Sequence, residues 1–274
     1  MPVMRAAVIG HVEWMDFVRV ESVPKPGEIV RASETWAEAA GGGAVAAVQL
    51  ANLGCETTFF TSLGTDELGR RSREELEARG VRMYIAWVAE PQRRGFTYVD
   101  DRGERTITVI GEKLRPGGDD DSLPWEELRG CDCVYFTGGD VPALRKGRNA
   151  RVLVATAREL PTLRRAGVEL DALVGSATDP DEDFQPGDLD PAPRLVVATS
   201  GRLGGWAQPG GPFAAAAPPG PIEDVYGAGD CYAAGLAFAL ARGDEARDAV
   251  AFAARCGATV VTGRGPYGRQ LQLS

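Results

Sequence analysis

Histidine is almost missing from this chain: His11 is the only one in 274 residues. The five cysteines, Cys55, Cys131, Cys133, Cys231 and Cys256, are odd in number and scattered. Cys131-Asp-Cys133 lacks the spacing of a zinc knuckle, and one histidine cannot complete a site around it, so structural zinc is excluded. The thiols read as reduced, in a cytoplasmic protein. No apolar run reaches the roughly 18 residues of a membrane span. Met1-Pro-Val-Met-Arg5 leads straight into a strand-like segment, without a signal-peptide pattern. Excess positive charge is also lacking. The net charge is −9, arginine supplies nearly all the positive charge, and nucleic-acid binding, which needs a basic face, is not expected. A Walker-type phosphate loop is absent. Gly64-Thr-Asp-Glu-Leu-Gly69-Arg70 has its glycine spacing without the Lys and Ser/Thr that hold phosphate and magnesium. Gly263-Arg-Gly265-Pro-Tyr-Gly268 matches a dinucleotide fingerprint only formally, with no strand–helix unit around it.

What is present is an alternation of strand and helix patterns in a chain long enough to bury a sizeable core. Arg5–Gly10 is a short apolar run ending in glycine, the form of a buried first strand. The segment 44–54 is a helix pattern with a glycine stop, 57–62 a strand, and 66–79 an amphipathic helix followed by Gly80. Strand, helix, strand, helix implies parallel βαβ units. The middle differs. Segments 95–100 and 105–110 alternate around a turn at Asp101-Arg-Gly103, which predicts a hairpin. With the strand-like pieces near 14–38 it would form a small sheet standing off the main layer. Buried strands recur at 133–137, 151–155, 171–174 and 194–198. The acidic, proline-rich stretch 179–193 reads as loop, and 244–262 as a final long helix.

The stretch from Asp224 to Leu240 organises the rest. Gly227-Ala228-Gly229 is a flexible turn running into a small-residue helix from about Cys231 to Ala241. Unpaired N–H groups converge at a helix N-terminus and the dipole is positive there, so this is an anion site. Asp230 stands at its mouth. One role for such a residue is a helix N-cap. Another is a base that takes a proton from a hydroxyl while the N–H groups neutralise charge on a transferring phosphoryl group. Thr199-Ser-Gly201-Arg-Leu-Gly204 follows a buried strand, where a nucleotide phosphate or a plain tight turn fits equally. Asp16, after the first strand, is either a solvated loop residue or a carboxylate for paired sugar hydroxyls. His11 reads as structural.

Asp224-x-x-Gly227-Ala228-Gly229-Asp230 resembles the D-T-x-G-A-G-D signature of the ribokinase-like (PfkB) carbohydrate kinases, with Val225 in place of Thr. The resemblance continues through the T-x-G-x-x-G loop at Thr199–Gly204, the spacer Pro24-Lys-Pro-Gly27-Glu28, Gly64-x-Asp66-x-x-Gly69 and Gly103-Glu-Arg105. The N-terminal G-G-x-x-x-N-x-A signature maps onto 40–47, with Val45 replacing the Asn. Ser176-Ala-Thr-Asp179 replaces N-x-x-E. The resemblance implies an α/β fold: a mostly parallel sheet flanked by helices in one kinase domain, with a β lid from about 12–38 and 83–111. It implies Asp230 as catalytic base, the Gly227, Ala228 and Gly229 N–H groups as anion hole, and Asp16, Gly41, Gly42 and Val45 at the substrate. Thr199, Gly201, Gly204 and Ser176 would hold the nucleotide, with Asp179 near magnesium. ATP and Mg2+ are the implied cofactors, with a monovalent cation as an optional activator. A sugar or sugar-like alcohol is the implied acceptor, and the lid a homodimer contact. A nucleoside acceptor, for which Val45, Trp14 and Trp36 speak, and a non-catalytic sugar or nucleotide sensor remain alternatives.

Overall fold

The structure is a computed structural model that describes residues 3–273. The chain opens with β1 (Arg5–Ile9), then leaves the main layer for β2 (Glu13–Arg19) and β3 (Glu34–Ala40). It returns through α1 (Gly42–Asn52), β4 (Glu56–Gly64), α2 (Glu67–Ala78) and β5 (Arg82–Val88), then departs again for β6 (Arg94–Val99) and β7 (Arg105–Ile110). The main layer is completed by β8 (Cys133–Phe136), α3 (Val141–Gly147), β9 (Val152–Thr156), α4 (Leu160–Ala166), β10 (Ala172–Ser176) and β11 (Val196–Thr199). The short β12 (Gly205–Gln208) and β13 (Gly211–Phe213) follow, and α5 (Ala228–Arg242) and α6 (Ala246–Val260) end the fold.

Nine strands form one sheet in the order β13-β12-β11-β10-β9-β8-β1-β4-β5, parallel except for the β12 and β13 edge. Successive strand residues point to opposite faces, so each continuous apolar run feeds two cores. Ala6, Val8, Val154, Val174 and Val197 join the core with α1, α5 and α6; Ala7, Ile9, Leu153, Ala155 and Leu173 join the one with α3 and α4. Phe60 lies between Tyr84 and Trp125, with both ring centroids 5.0 Å away. Burying an aromatic side chain this fully stabilises by about 1.5–3 kcal/mol.

The second sheet has the order β3-β2-β6-β7. Its odd-numbered β2 residues face the α5 end of the main layer: Phe17 stacks on Trp36 at 4.8 Å and meets Tyr226 edge-on at 5.2 Å. Residues 82–88 differ from the expected lid. They pair with β4 and close the edge of the main sheet, because an apolar strand pattern does not reveal which sheet it joins. The β12–β13 hairpin, rich in Gly and Pro, carries no strand signal of its own. The stretch 179–193 holds only one 3-10 turn, Pro180–Glu182, so β10 and β11 are joined without a helix.

Candidate active site

The α5 helix begins at Ala228, three residues before the expected start, so Asp230 lies in its first turn. The N-cap is Gly227, with φ 82 and no side-chain cap, which removes the N-cap role considered for Asp230. Only glycine adopts this left-handed conformation cheaply. A side-chain carbon there would also stand 2.9 Å from Cγ1 of Val45, which packs beneath the turn. Asp224, fully buried, accepts the Tyr226 N–H at 2.8 Å and the Gly265 N–H at 3.1 Å, tying the turn to the C-terminal segment. Burial raises its carboxyl while those two N–H groups pull the other way. The first helical bond runs from the Cys231 N–H to the Gly227 carbonyl at 2.9 Å, and the Ala228 N–H makes only a 3.4 Å contact with the Val225 carbonyl. The N–H groups of Gly227, Gly229 and Asp230 donate to no described residue, and no heavy atom crowds Gly229 on its side-chain side. The turn therefore presents free donors to open space at a positive helix end.

Asp230 points across this opening at α1. A side-chain carbon on Gly42 would stand 2.7 Å from its Oδ1 and 3.0 Å from Oγ1 of Thr137, so the glycine makes room for the carboxylate. Burial pushes the Asp230 carboxyl up to about 6; Glu182 and Glu13 add negative field, while Arg105 and Arg158 oppose it. A carboxylate so poised is ionised near neutrality yet basic enough to accept a hydroxyl proton. Gly41, the α1 N-cap, donates its N–H to the Tyr226 hydroxyl at 3.3 Å. Gly41 and Gly42 thus stand directly against the α5 turn. Val45 offers no polar atom and is wholly buried.

Asp16 is a correction. It lies within β2 rather than in a loop after β1, paired with Ala37 and Phe96, and its carboxylate meets Arg94 at 3.0 Å. Strand alternation places it on the face opposite Glu13, Met15 and Phe17, away from Tyr226. The carboxylate that lies against Gly41 is Glu13, buried at the start of β2, whose ionised form burial disfavours. Counting back two by two from buried Phe17 would have found it.

On the nucleotide side, Ser176 and Thr199 are register partners at the ends of β10 and β11. The Thr199 hydroxyl donates to the Gly175 carbonyl at 3.2 Å, and Gly201 and Gly204 both have positive φ in the turn that follows. The Ser176 N–H donates to Glu182 at 2.8 Å. Asp179 caps the 3-10 turn and pairs with Arg158, which also holds Glu182 at 2.6 Å. Burial alone would raise the Asp179 carboxyl, but Arg158 and the Asp181 N–H hold it below its usual range. Glu182 of this loop adds to the negative field at Asp230. No group of three or more His, Cys, Asp or Glu among the described residues forms a metal cage.

A cationic corner completes the site. Lys113 and Arg115 share the buried Glu159 at 2.8 and 2.5 Å, and Arg93 meets Glu13 at 2.9 Å. His11, 3.7 Å from Glu13, is driven well below its usual range by burial and by the fields of Lys113, Arg93 and Arg115.

A family model described as pfkB family carbohydrate kinase matches residues 4–164 and 167–271. The chain is similar to the ATP-dependent ribose-1-phosphate kinase of Halopiger xanaduensis, 29% identical over 293 residues that cover 93% of this chain and 91% of that protein. Its match to a ribokinase of Dictyostelium discoideum is local, 27% identical over 106 residues, spanning 38% of this chain and 33% of that protein. Among solved structures, the ribokinase of Thermotoga maritima superposes with a TM-score of 0.73 at 21% identity, over 96% of this chain and 94% of that one. The adenosine kinase of Sinorhizobium meliloti does so with 0.77 at 18%, over 96% and 95%. Two-sheet architecture, glycine turn and near-complete family match agree: the chain belongs to the pfkB family of carbohydrate kinases and is an ATP-dependent phosphotransferase for a sugar or nucleoside.

Proposed function

We propose that this protein transfers the γ-phosphoryl group of ATP to a hydroxyl of a sugar or sugar-like alcohol, with Asp230 as the base. The observation that carries this reading is the Asp230 carboxyl, raised to about 6 and aimed across the free N–H groups of the α5 turn. Asp230 takes the acceptor proton, and the Gly227 and Gly229 N–H groups, with Ala228 lining the turn, receive the phosphoryl oxygens. Gly41 and Gly42 admit the acceptor beside α1, joined by Glu13 in the place first assigned to Asp16. Thr199, Gly201, Gly204 and Ser176 form the nucleotide wall.

Magnesium is the implied metal, and the donor set suits an ion held mainly by nucleotide phosphates and water. Mg2+ ordinarily takes one or two protein carboxylates and keeps several waters, which Glu182 and Asp179 can serve. When bound it neutralises phosphate charge. Arg158 meanwhile fixes both carboxylates.

A nucleoside is the second acceptor class. Trp14 and Trp36, which would stack a base, are already engaged by Arg71 at 4.3 Å and Phe17 at 4.8 Å, so a sugar is preferred. The free β7 edge, with Ile107, Val109 and Ile110 exposed, supports a homodimer through the second sheet, which would act as a lid. Five unpaired cysteines support a cytoplasmic protein. ATP consumption with Mg2+, with and without K+, across pentoses, hexoses, sugar phosphates and nucleosides tests the assignment. The expected result is turnover of a sugar-based acceptor that Asp230→Asn abolishes. Binding of sugar or nucleotide with no turnover of any acceptor would instead make this a sensor.

A further inference from the structure

The turn that leads into α5 is held open from outside. Gly227 has φ 82 and ψ 1, the geometry of the third residue of a type II β-turn, so Val225 and Ala228 are its outer residues. Such a turn ordinarily closes with a bond from the last N–H to the first carbonyl at about 2.9 Å. Here that contact is stretched to 3.4 Å. The Val225 carbonyl is taken instead by Nη1 of Arg105, 120 residues away in sequence, at 2.7 Å. A charge-assisted bond of that length outcompetes a neutral one. The carbonyl is thus aimed at the guanidinium, and the Ala228 N–H is left unspent.

Arg105 is placed for this by the second sheet. It opens β7, and the hairpin turn before it lies against the strap 223–226 that feeds α5. The Val225 N–H donates to the Gly103 carbonyl at 3.2 Å, and the Arg105 guanidinium stands 5.5 Å from the centre of the Tyr226 ring. Gly103 has φ 77, and a side-chain carbon there would stand 3.1 Å from the Glu223 carbonyl oxygen, so hairpin and strap touch backbone to backbone. Both backbone groups of Val225 are therefore held by the hairpin, and its side chain has no hydroxyl that could fix the turn from within. Among the charged groups around Asp230, Arg105 opposes the effect of burial most; Arg158 acts with it, Glu182 and Glu13 against it.

We infer that Arg105 is a positioning residue for the phosphoryl transfer: by holding the Val225 carbonyl it keeps the Ala228 N–H free as a third donor, beside those of Gly227 and Gly229, for the oxygens of the transferring group. This rests on the kinase reading and makes the hairpin of the second sheet a working part of the anion hole. Arg105 acts through Val225 and not on a reactant. A donor used most fully in the transition state raises kcat and leaves KM unchanged.

The test uses the full chain with Arg105→Gln and Arg105→Lys. Arg105 is exposed, so neither substitution cuts into a core. Calorimetry measures binding of ADP and Mg2+, alone and with aluminium fluoride, which mimics a phosphoryl group in flight. ADP formation from ATP gives kcat, KM and their pH profiles. Arg105→Gln is expected to lower the affinity gained from fluoride about tenfold, to leave ADP binding within about twofold, and to lower kcat about tenfold at unchanged KM. Its kcat/KM should begin to fall about half a pH unit higher on the acid side, because a partly screened positive charge near Asp230 is gone. Arg105→Lys should restore that acid limb but only part of kcat, since an ammonium lacks the planar fork. An unchanged fluoride gain or a wild-type kcat in Arg105→Gln overturns the positioning role, while loss of turnover in Asp230→Asn leaves the kinase standing. ADP binding and fluoride gain lost together, with a lowered melting temperature in both variants, would mark a merely structural arginine and overturn it too. A fluoride gain that falls in Arg105→Gln, in a protein that turns over no acceptor, upholds the donor arrangement and overturns the kinase reading instead.

Discussion

Replacing Asp230 by Asn should remove turnover and, at the same time, stabilise the fold. Its carboxyl rises from the ordinary 3.8 to about 6, chiefly by burial. At ~1.36 kcal/mol per pH unit that is about 3 kcal/mol of preference for the protonated form. Water at the open mouth of the site trims this to about 2–3 kcal/mol. The sign follows from linkage. A folded-state value above the unfolded one contributes stability that is fully present below about pH 4 and lost as pH rises through about 6. At pH 7.5 the charged carboxylate therefore costs the fold, and the isosteric amide does not carry that cost. At this chain length each kcal/mol moves the melting temperature by about 2 °C, so the variant should melt about 4–6 °C higher at pH 7.5. By pH 5 about half of that advantage should be gone. The assay is thermal unfolding of both proteins between pH 4.5 and 8.5, paired with coupled ADP detection. Turnover should fall at least ~10²-fold in the variant, while wild-type kcat/KM should drop about tenfold per unit below pH 6. An Asn variant that melts no higher at pH 7.5, or gains equally at every pH, would refute a desolvated base.

Two further substitutions follow from the same geometry. Gly42→Ala places a carbon 2.7 Å from Oδ1 of Asp230 and 3.0 Å from the Thr137 hydroxyl, so the carboxylate must move. Displacement of about 1 Å costs roughly 10²-fold in kcat, and a variant keeping wild-type kcat would show the contact to be slack. Asp224→Ala strands the buried N–H groups of Tyr226 and Gly265. Urea unfolding should show a loss of about 2–4 kcal/mol, and a loss under ~1 kcal/mol would mean that water replaces the carboxylate.

Local chemistry made part of this protein legible from its residues alone. The α5 turn needs a left-handed residue, a run of small side chains and an acid in the first turn, all within seven consecutive positions, Asp224–Asp230. The main-sheet strands announce themselves as apolar runs because both of their faces are covered. Other features depend on partners distant in sequence. Residues 82–88 look the same whether they join the lid or the main sheet, and only pairing with β4 decides. Asp16 and Glu13 are both acids near the first strand. Which one reaches Asp230 depends on the face of β2 that meets Tyr226, a matter of how two sheets dock. The cationic corner is the clearest case. His11 follows β1, Arg93 precedes β6, Lys113 and Arg115 follow β7, and Glu159 follows β9, so nothing in their local patterns links them. Parallel crossovers bring these segments to one end of the sheet. Charge acts through distance in space, so the field around the acceptor exists only once the chain is folded.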